Sequence, residues 1–275
     1  LINRTAIPTT MGLSDFPAAD GKAPADVRAN VGAARSSGFE LTLTENHSFN
    51  KDVWLRSNLT FTYAVSRYTD YEEMVPAGMD WLKTEGTYIG QQKGLIAERL
   101  FIDETDIANS PIQTFDKVND IPVMPGDIKY KDINDDGIID SHDVVPIGYA
   151  GVPQLEGGWG VSFGFYGFDF NFFLQGAARV SFMMDPTARV DWGSGSVGTA
   201  PFIDNHSLLK AWADDHWSET NRNCYALWPR LSDTSRPNNE QASTWWLRDG
   251  GYLRLKSVEI GYNVPEKLIK KVGIQ

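Results

Sequence analysis

Between Gly126 and Pro146 the chain runs GDIKYKDINDDGIIDSHDVVP, where Asp132, Asn134, Asp136, Asp140 and Asp143 occupy positions one, three, five, nine and twelve of a twelve-residue loop and Gly137 occupies the sixth. A hard dication such as Ca2+ gathers six to eight oxygens at this spacing, and the glycine allows the sharp turn in the middle. Ile138, at position seven, would add its backbone carbonyl, and Ile139 would plug the apolar side. Position twelve carries Asp143 where an EF-hand has a bidentate Glu, so the shorter arm must be met by a closer backbone. Flanking helices are missing as well: Asp127 to Tyr130 alternates like a strand, and Val144-Val145-Pro146 forbids a helix. The pattern predicts a structural Ca2+ site made by Asp132, Asn134, Asp136, Ile138, Asp140 and Asp143, within a loop spanning 132–143. The competing reading is an acidic surface turn without metal.

Other residues that could do chemistry are weaker. Trp81, Trp217, Trp228 and Trp245 could stack on the apolar faces of sugar rings, although packing and interface anchoring use tryptophan equally well. His206 and His216 stand ten residues apart, which is no metal spacing on one helix face. Asp103/Glu104 and Asp214/Asp215 are adjacent carboxylates, but adjacency does not set the separation that glycoside hydrolysis needs. There is no nucleophile elbow, phosphate-binding glycine loop or zinc signature. The chain is expected not to be an enzyme.

The 275 residues carry a net charge of -11 with Lys and Arg scattered, which argues against a nucleic-acid partner because a phosphate backbone needs a positive surface. A single cysteine, Cys224, cannot form an internal disulfide. No eighteen-residue apolar run exists to make a membrane-spanning helix. The chain begins Leu1-Ile2-Asn3-Arg4 and ends Val272-Gly273-Ile274-Gln275, which suggests a fragment. Aromatic residues make up 12% of the whole, and their placement in the strands is the next clue.

Those strands alternate strictly. Gly38 to Asn46 and Asp52 to Ser66 set Phe39, Leu41, Leu43, Leu55, Leu59 and Phe61 against Glu40, Thr42, Thr44, Asn58 and Thr60, and predict a hairpin. A second hairpin joins Trp159–Phe165 to Phe168–Leu174 through Tyr166-Gly167. A further strand over 251–263 reverses phase at Leu253-Arg254-Leu255-Lys256, which predicts a bulge or an exit from the apolar zone. Connections alternate between short and long, with loops over about 67–152 and 180–249. Soluble sandwiches rarely do this, whereas outer-membrane barrels have tight periplasmic turns and long outer loops. Five or six strands cannot close such a barrel, so the chain is expected to be part of a larger one.

At Gly38-Phe39-Glu40-Leu41, at Gly126-Asp127-Ile128-Lys129-Tyr130 with its aspartate-rich sequel, at Pro146-Ile147-Gly148-Tyr149, and at Gly167-Phe168-Asp169-Phe170, the chain resembles SusC/RagA-type TonB-dependent outer-membrane transporters. Trp246 to Lys256, reading WLRDGGYLRLK, and Val258 to Pro265, reading VEIGYNVP, resemble the same family, and the phrases keep its order. The resemblance implies an all-β fold, with residues 1–275 forming the C-terminal part of a 22-stranded transmembrane barrel whose plug domain lies outside this chain. It further implies a SusD-like surface lipoprotein as lid, TonB as the energy source acting through the absent N-terminal part, and import of oligosaccharides or peptides across the outer membrane of a Gram-negative bacterium. Membrane lipid and lipopolysaccharide would surround the barrel. The alternative is a secreted, calcium-stabilised β-module that binds glycans without transporting them, and a weaker third reading is an extracellular glycosidase.

Overall fold

Alternation of apolar and polar side chains builds the main sheet of the computed structural model, which describes residues 3–11, 27–115, 122–184 and 209–265, with side chains from residue 32 onward. β1 (Asn3–Met11), β2 (Val27–Asn50) and β3 (Val53–Tyr71) run up and down. A long excursion follows, carrying β4 (Gln91–Gly94), β5 (Ala97–Leu100), α1 (Glu104–Ala108), β6 (Ile112–Gln113), β7 (Ile128–Tyr130), β8 (Ile138–Ile139) and β9 (Val145–Ala150). The chain re-enters the sheet as β10 (Leu155–Phe165) and β11 (Phe168–Ala178), and leaves again through β12 (Ser181–Met183), α2 (Lys210–Asp214) and β13 (Leu247–Asp249). It returns as β14 (Tyr252–Tyr262).

The six long strands form one sheet in the order β1-β2-β3-β10-β11-β14, each antiparallel to its neighbour. Strands adjacent in the chain are therefore adjacent in space, however long the excursion between them. The β10–β11 turn needs positive φ at both central residues, and Tyr166 and Gly167 supply 46° and 88°, the backbone of a primed turn that matches the strand twist. Strands β2 and β3, at 24 and 19 residues, are longer than the alternation predicts. The start of β2 carries Arg, Ala, Gly and Ser and the end of β3 reads Arg67-Tyr68-Thr69-Asp70-Tyr71, neither with an apolar period, so hydrophobic pattern could not trace them.

Register fixes the two faces. One carries Phe39, Leu41 and Leu43, then Leu55, Leu59 and Phe61, then Trp159, Val161 and Phe163, then Phe170, Phe172 and Leu174, and finally Val258 and Ile260. The opposite face carries Glu40, Thr42, Asn58, Thr60, Ser162, Asn171 and Glu259. On this polar side glycines make room for rings: a Cβ at Gly164 would fall 2.1 Å from the Trp54 indole nitrogen, and one at Gly158 would fall 3.0 Å from Phe173. The phase reversal in β14 is a bulge. Phe173 pairs with Ser257 and Leu174 with Leu255, so Lys256 is the extra residue and Leu253 and Leu255 return to the apolar face.

Between them the two excursions build a separate core. Leu95, Leu100, Ile128, Tyr130 and Ile139 come from the first, and Trp217, Ala226, Trp228 and Trp246 from the second. The second excursion's helix α2 starts at Lys210 with Leu209 before it and no side-chain cap, and His206 lies outside the described residues. His216 Nδ1 sits 3.1 Å from the Trp212 carbonyl, a local backbone contact.

Candidate functional site

The aspartate loop hangs from β7 and is curled by its own side chains. Asp132 Oδ2 accepts the Gly137 N–H at 2.7 Å, Asn134 Oδ1 accepts the Asp136 N–H at 3.1 Å, and Asp136 Oδ1 accepts the Ile138 N–H at 2.8 Å. Short polar side chains favour such turns because they replace backbone bonds that the tight curve forbids. Asp135 and Gly137 take positive φ, 57° and 82°, where only Gly and the short polar residues sit comfortably. β8 then pairs in parallel with β6, and Ile139 is fully buried, as its plugging role requires. Ile138, by contrast, turns its side chain outward.

Asp140 and Asp143 close the far end as a capping box on a single 3-10 turn. Asp140 Oδ1 accepts the His142 N–H at 2.7 Å; Asp143 accepts from Ile133 at 2.7 Å and from Asp140 at 2.9 Å, and is completely buried. Among the described residues no three His, Cys, Asp or Glu side chains are drawn together into a metal-holding cluster. One donor is nevertheless left over: Asp132 Oδ1 is buried with no hydrogen-bond partner. An orphaned carboxylate oxygen at position one is a group that a hard cation would satisfy, although the other loop carboxylates are not gathered around it. Trp81 locks the loop from outside, its indole N–H donating to the His142 carbonyl at 2.8 Å.

The other tryptophans divide by burial. Trp217 and Trp228, at 2% and 1% exposure, are core residues, so neither offers a ring face to a sugar, and their expected role in ligand stacking is corrected on that ground. Trp228 is sandwiched by Trp212 at 4.3 Å and Trp246 at 4.8 Å, while Trp217 lies under the Arg230 guanidinium at 5.1 Å. Gly126 presses on the Trp217 ring, where a Cβ would come within 2.3 Å of ring carbons; this explains the glycine that opens the Gly126-Asp127-Ile128-Lys129-Tyr130 phrase. Trp81 and Trp245 are half-buried and keep partial access.

Sequence reasoning missed the polar seam that joins the excursions. Asn239 accepts the Ile128 N–H at 2.9 Å and donates to Asp127 Oδ1 at 2.9 Å, and Gln113 accepts from Tyr130 at 2.8 Å while donating to the Ile128 carbonyl at 2.9 Å. Asn238, Asn239 and Asp127 are fully buried. Burial pushes the Asp127 carboxyl above its usual range, against the pull of Arg236 and its hydrogen bonds. Nearby, the Arg99 guanidinium holds Asp106 well below it, with a 2.9 Å second hydrogen bond. No spacing rule announces Asn238-Asn239, because their partners lie more than a hundred residues away.

The sheet itself is the larger feature. Its apolar face is open: Phe39, Leu253 and Ile260 are 57%, 77% and 75% exposed, and Leu59, Trp159, Phe163 and Phe170 are exposed as well. Among the described residues no second layer covers it. Monomers in water rarely show apolar patches beyond a few hundred Å2, so this face marks a surface that lipid or a partner covers. Rings gather at the turn end, where Phe168 and Tyr262 pack at 4.4 Å and Phe165 meets Tyr166 at 4.8 Å, the arrangement of an interfacial aromatic girdle. No described helix is long and apolar enough to cross a membrane, which leaves strands free to do so. These features define a strand meander of the transmembrane β-barrel class, all-β and carrying its elaborations at one end.

Comparison narrows the class. No family model matches the chain. "TonB-dependent receptor P3" of Formosa agariphila is 24% identical over 259 residues, covering 90% of this chain and 23% of that protein. "TonB-dependent receptor P26" of the same organism is 27% identical over 264 residues, covering 89% and 23%. The solved RagAB peptide importer in its closed-closed state shares the fold with a TM-score of 0.57 at 15% identity, over 98% of this chain and 27% of that one; the open-open state gives 0.56 at 14%, over 98% and 26%. The chain is thus similar in sequence to TonB-dependent receptors and in fold to the RagAB importer, and it spans about a quarter of the length of the proteins it matches.

Proposed function

We propose that this chain forms part of the wall and outer loops of an outer-membrane nutrient importer. The single observation that carries this reading is the open apolar face of the sheet, backed by a polar face and crowned by long excursions at one end only. The cargo is an oligosaccharide or a peptide, passing along a lumen side lined by Thr42, Asn58, Thr60, Ser162 and Asn171 and by the rings of Trp54 and Phe173. A SusD-like lipoprotein would lid the loop side, and TonB would drive opening from parts of the transporter beyond this sequence. In the loops, Asp132, Asn134, Asp136, the Ile138 carbonyl, Asp140 and Asp143 would hold a structural Ca2+, which offsets carboxylate repulsion and part of the ordering cost of a long excursion. Trp81 and Trp245 remain the ring candidates for ligand contact.

The test is uptake by cells that carry the full-length protein, using labelled oligosaccharides and labelled peptides, with and without TonB. TonB-dependent accumulation of one cargo class supports the reading. A full-length protein that stays monodisperse in plain buffer without detergent would instead overturn the membrane reading and favour the secreted module.

A further inference from the structure

Just beyond the outer end of the apolar band, the register sets Arg35 opposite Arg67 on adjacent strands, and Arg4 opposite Arg35 one strand further along. Stepping by two along β2 and β3 puts Arg35 and Arg67 on the side of Phe39 and Tyr63, the bilayer-facing side. Both arginines are exposed. Like charges directly opposite each other destabilise a ladder unless a counter-charge sits on them.

Arg179, one residue past β11, joins the same patch. Its guanidinium lies 5.0 Å from the Tyr149 ring and 5.8 Å from that of Tyr63, and it donates to Tyr88 Oη at 3.2 Å and Gln154 Oε1 at 3.0 Å. Arg67 stacks on Tyr88 at 4.0 Å and donates to the Gly86 carbonyl at 2.6 Å. The tyrosines thus hold two guanidinium groups in fixed positions, and each group keeps N–H donors unspent. Among the described residues no carboxylate forms an ion pair with Arg35, Arg67 or Arg179.

On the same face an apolar groove of about 420 Å3 runs between Leu59, Trp159, Leu174 and Leu253, over Gly157 and Gly176. Its outer end reaches Leu155 and Ala178, which pair with each other next to Arg179. A fixed cationic cluster at the mouth of an apolar groove complements an amphiphile with a phosphate head and acyl chains, since Arg binds phosphate through paired charge-assisted bonds.

We propose that this face binds a phosphorylated glycolipid of the outer leaflet, with the phosphate on Arg35, Arg67 and Arg179 and an acyl chain in the Gly157/Gly176 groove. The inference rests on the bilayer-facing reading of the apolar side. To test it, the purified full-length protein is delipidated in detergent and titrated with lipopolysaccharide, with the same lipid enzymatically dephosphorylated, and with inorganic phosphate; retention is read by native mass spectrometry. Wild type should retain the phosphorylated lipid, and both the dephosphorylated lipid and the Arg35→Gln/Arg67→Gln protein should bind roughly tenfold more weakly, as expected when a charge-assisted bond is lost. The lumen-side variant Arg56→Gln should leave retention unchanged. Equal binding of the two lipids, or displacement of lipopolysaccharide by inorganic phosphate, overturns the proposal, and the two-lipid comparison decides it even where the double variant fails to fold. A protein that fractionates with the outer membrane yet ignores the phosphate sinks this inference alone, whereas one that stays soluble without detergent sinks the membrane reading as well.

Discussion

Asp132 shows what can be read from a single residue's place in a pattern. Its spacing from Asn134, Asp136 and Gly137 fits the pattern proposed for a cation loop, and the structure leaves its Oδ1 buried and without a partner. The variant Asp132→Ala/Asp136→Ala should therefore lose calcium-dependent protection of residues 120–150 in limited proteolysis of the full-length protein, while wild type is protected on adding Ca2+ and exposed by a chelator. Equal cleavage patterns with and without Ca2+ in wild type would remove the ion from the account. Asp127 belongs to the same phrase but answers to a different force, because burial raises its pKa in the folded state. A raised carboxyl binds its proton more tightly when folded, so its contribution to stability is complete below the unfolded pKa near 4 and is lost as pH rises through the folded value. Hydrogen exchange of the loop core should accordingly slow on going from neutral to mildly acidic pH in wild type relative to Asp127→Asn, and identical pH dependence in the two proteins would count against that sign. The tryptophans were not legible at this scale. Trp217 and Trp228 carry the same letter whether they stack on a sugar or fill a core, and only the tertiary neighbours, from both excursions, decide between the two.

At the scale of elements, period-two alternation located β3, β10, β11, β14 and the apolar half of β2, since a half-exposed strand must alternate to keep one face uniform. It failed for β1, whose NRTAIPTTM shows no strict alternation, and for the first half of β2, where Ala, Gly, Ser and Arg show no contrast between faces. The phase reversal before Ser257 was legible for a physical reason: a side-chain period of two cannot tolerate one additional residue without either a bulge or an apolar residue on the wrong side. Because Lys256 is that residue, deleting it should regularise the β11–β14 ladder and leave Leu253 and Leu255 on the bilayer side. Little is lost beyond a cation placed 5.8 Å from the Phe173 ring. Deleting Gly261 instead moves Glu259 onto the bilayer face and Val258 and Ile260 into the lumen. Each misplaced apolar side chain costs about 1.5–3 kcal/mol, and the carboxylate adds to that. Heat-modifiable gel mobility of outer-membrane fractions should thus look like wild type for the Lys256 deletion and show loss of the folded band for the Gly261 deletion; the reverse ranking would mean the register is wrong.

For the molecule as a whole, the alternation of short and long connections shaped the reading more than any motif did, because it assigns each end of the sheet to one side of a membrane. The turns at Lys51-Asp52 and Tyr166-Gly167 lie at one end, and the excursions with the aspartate loop, the tryptophan core and the arginine cluster lie at the other. The loop core could not be foreseen from sequence, since it is assembled from side chains of both excursions. Outer-membrane barrels keep tight turns on the periplasmic side, so the sheet's orientation yields a direct prediction. With Cys224 replaced by Ser, a cysteine at Asp233, exposed on the second excursion, should react with a membrane-impermeant maleimide on intact cells, and one at Lys51 should react only after the outer membrane is permeabilised. Labelling of both positions on intact cells would mean that the sheet does not separate two compartments, and the apolar face would then need a protein partner rather than lipid to cover it.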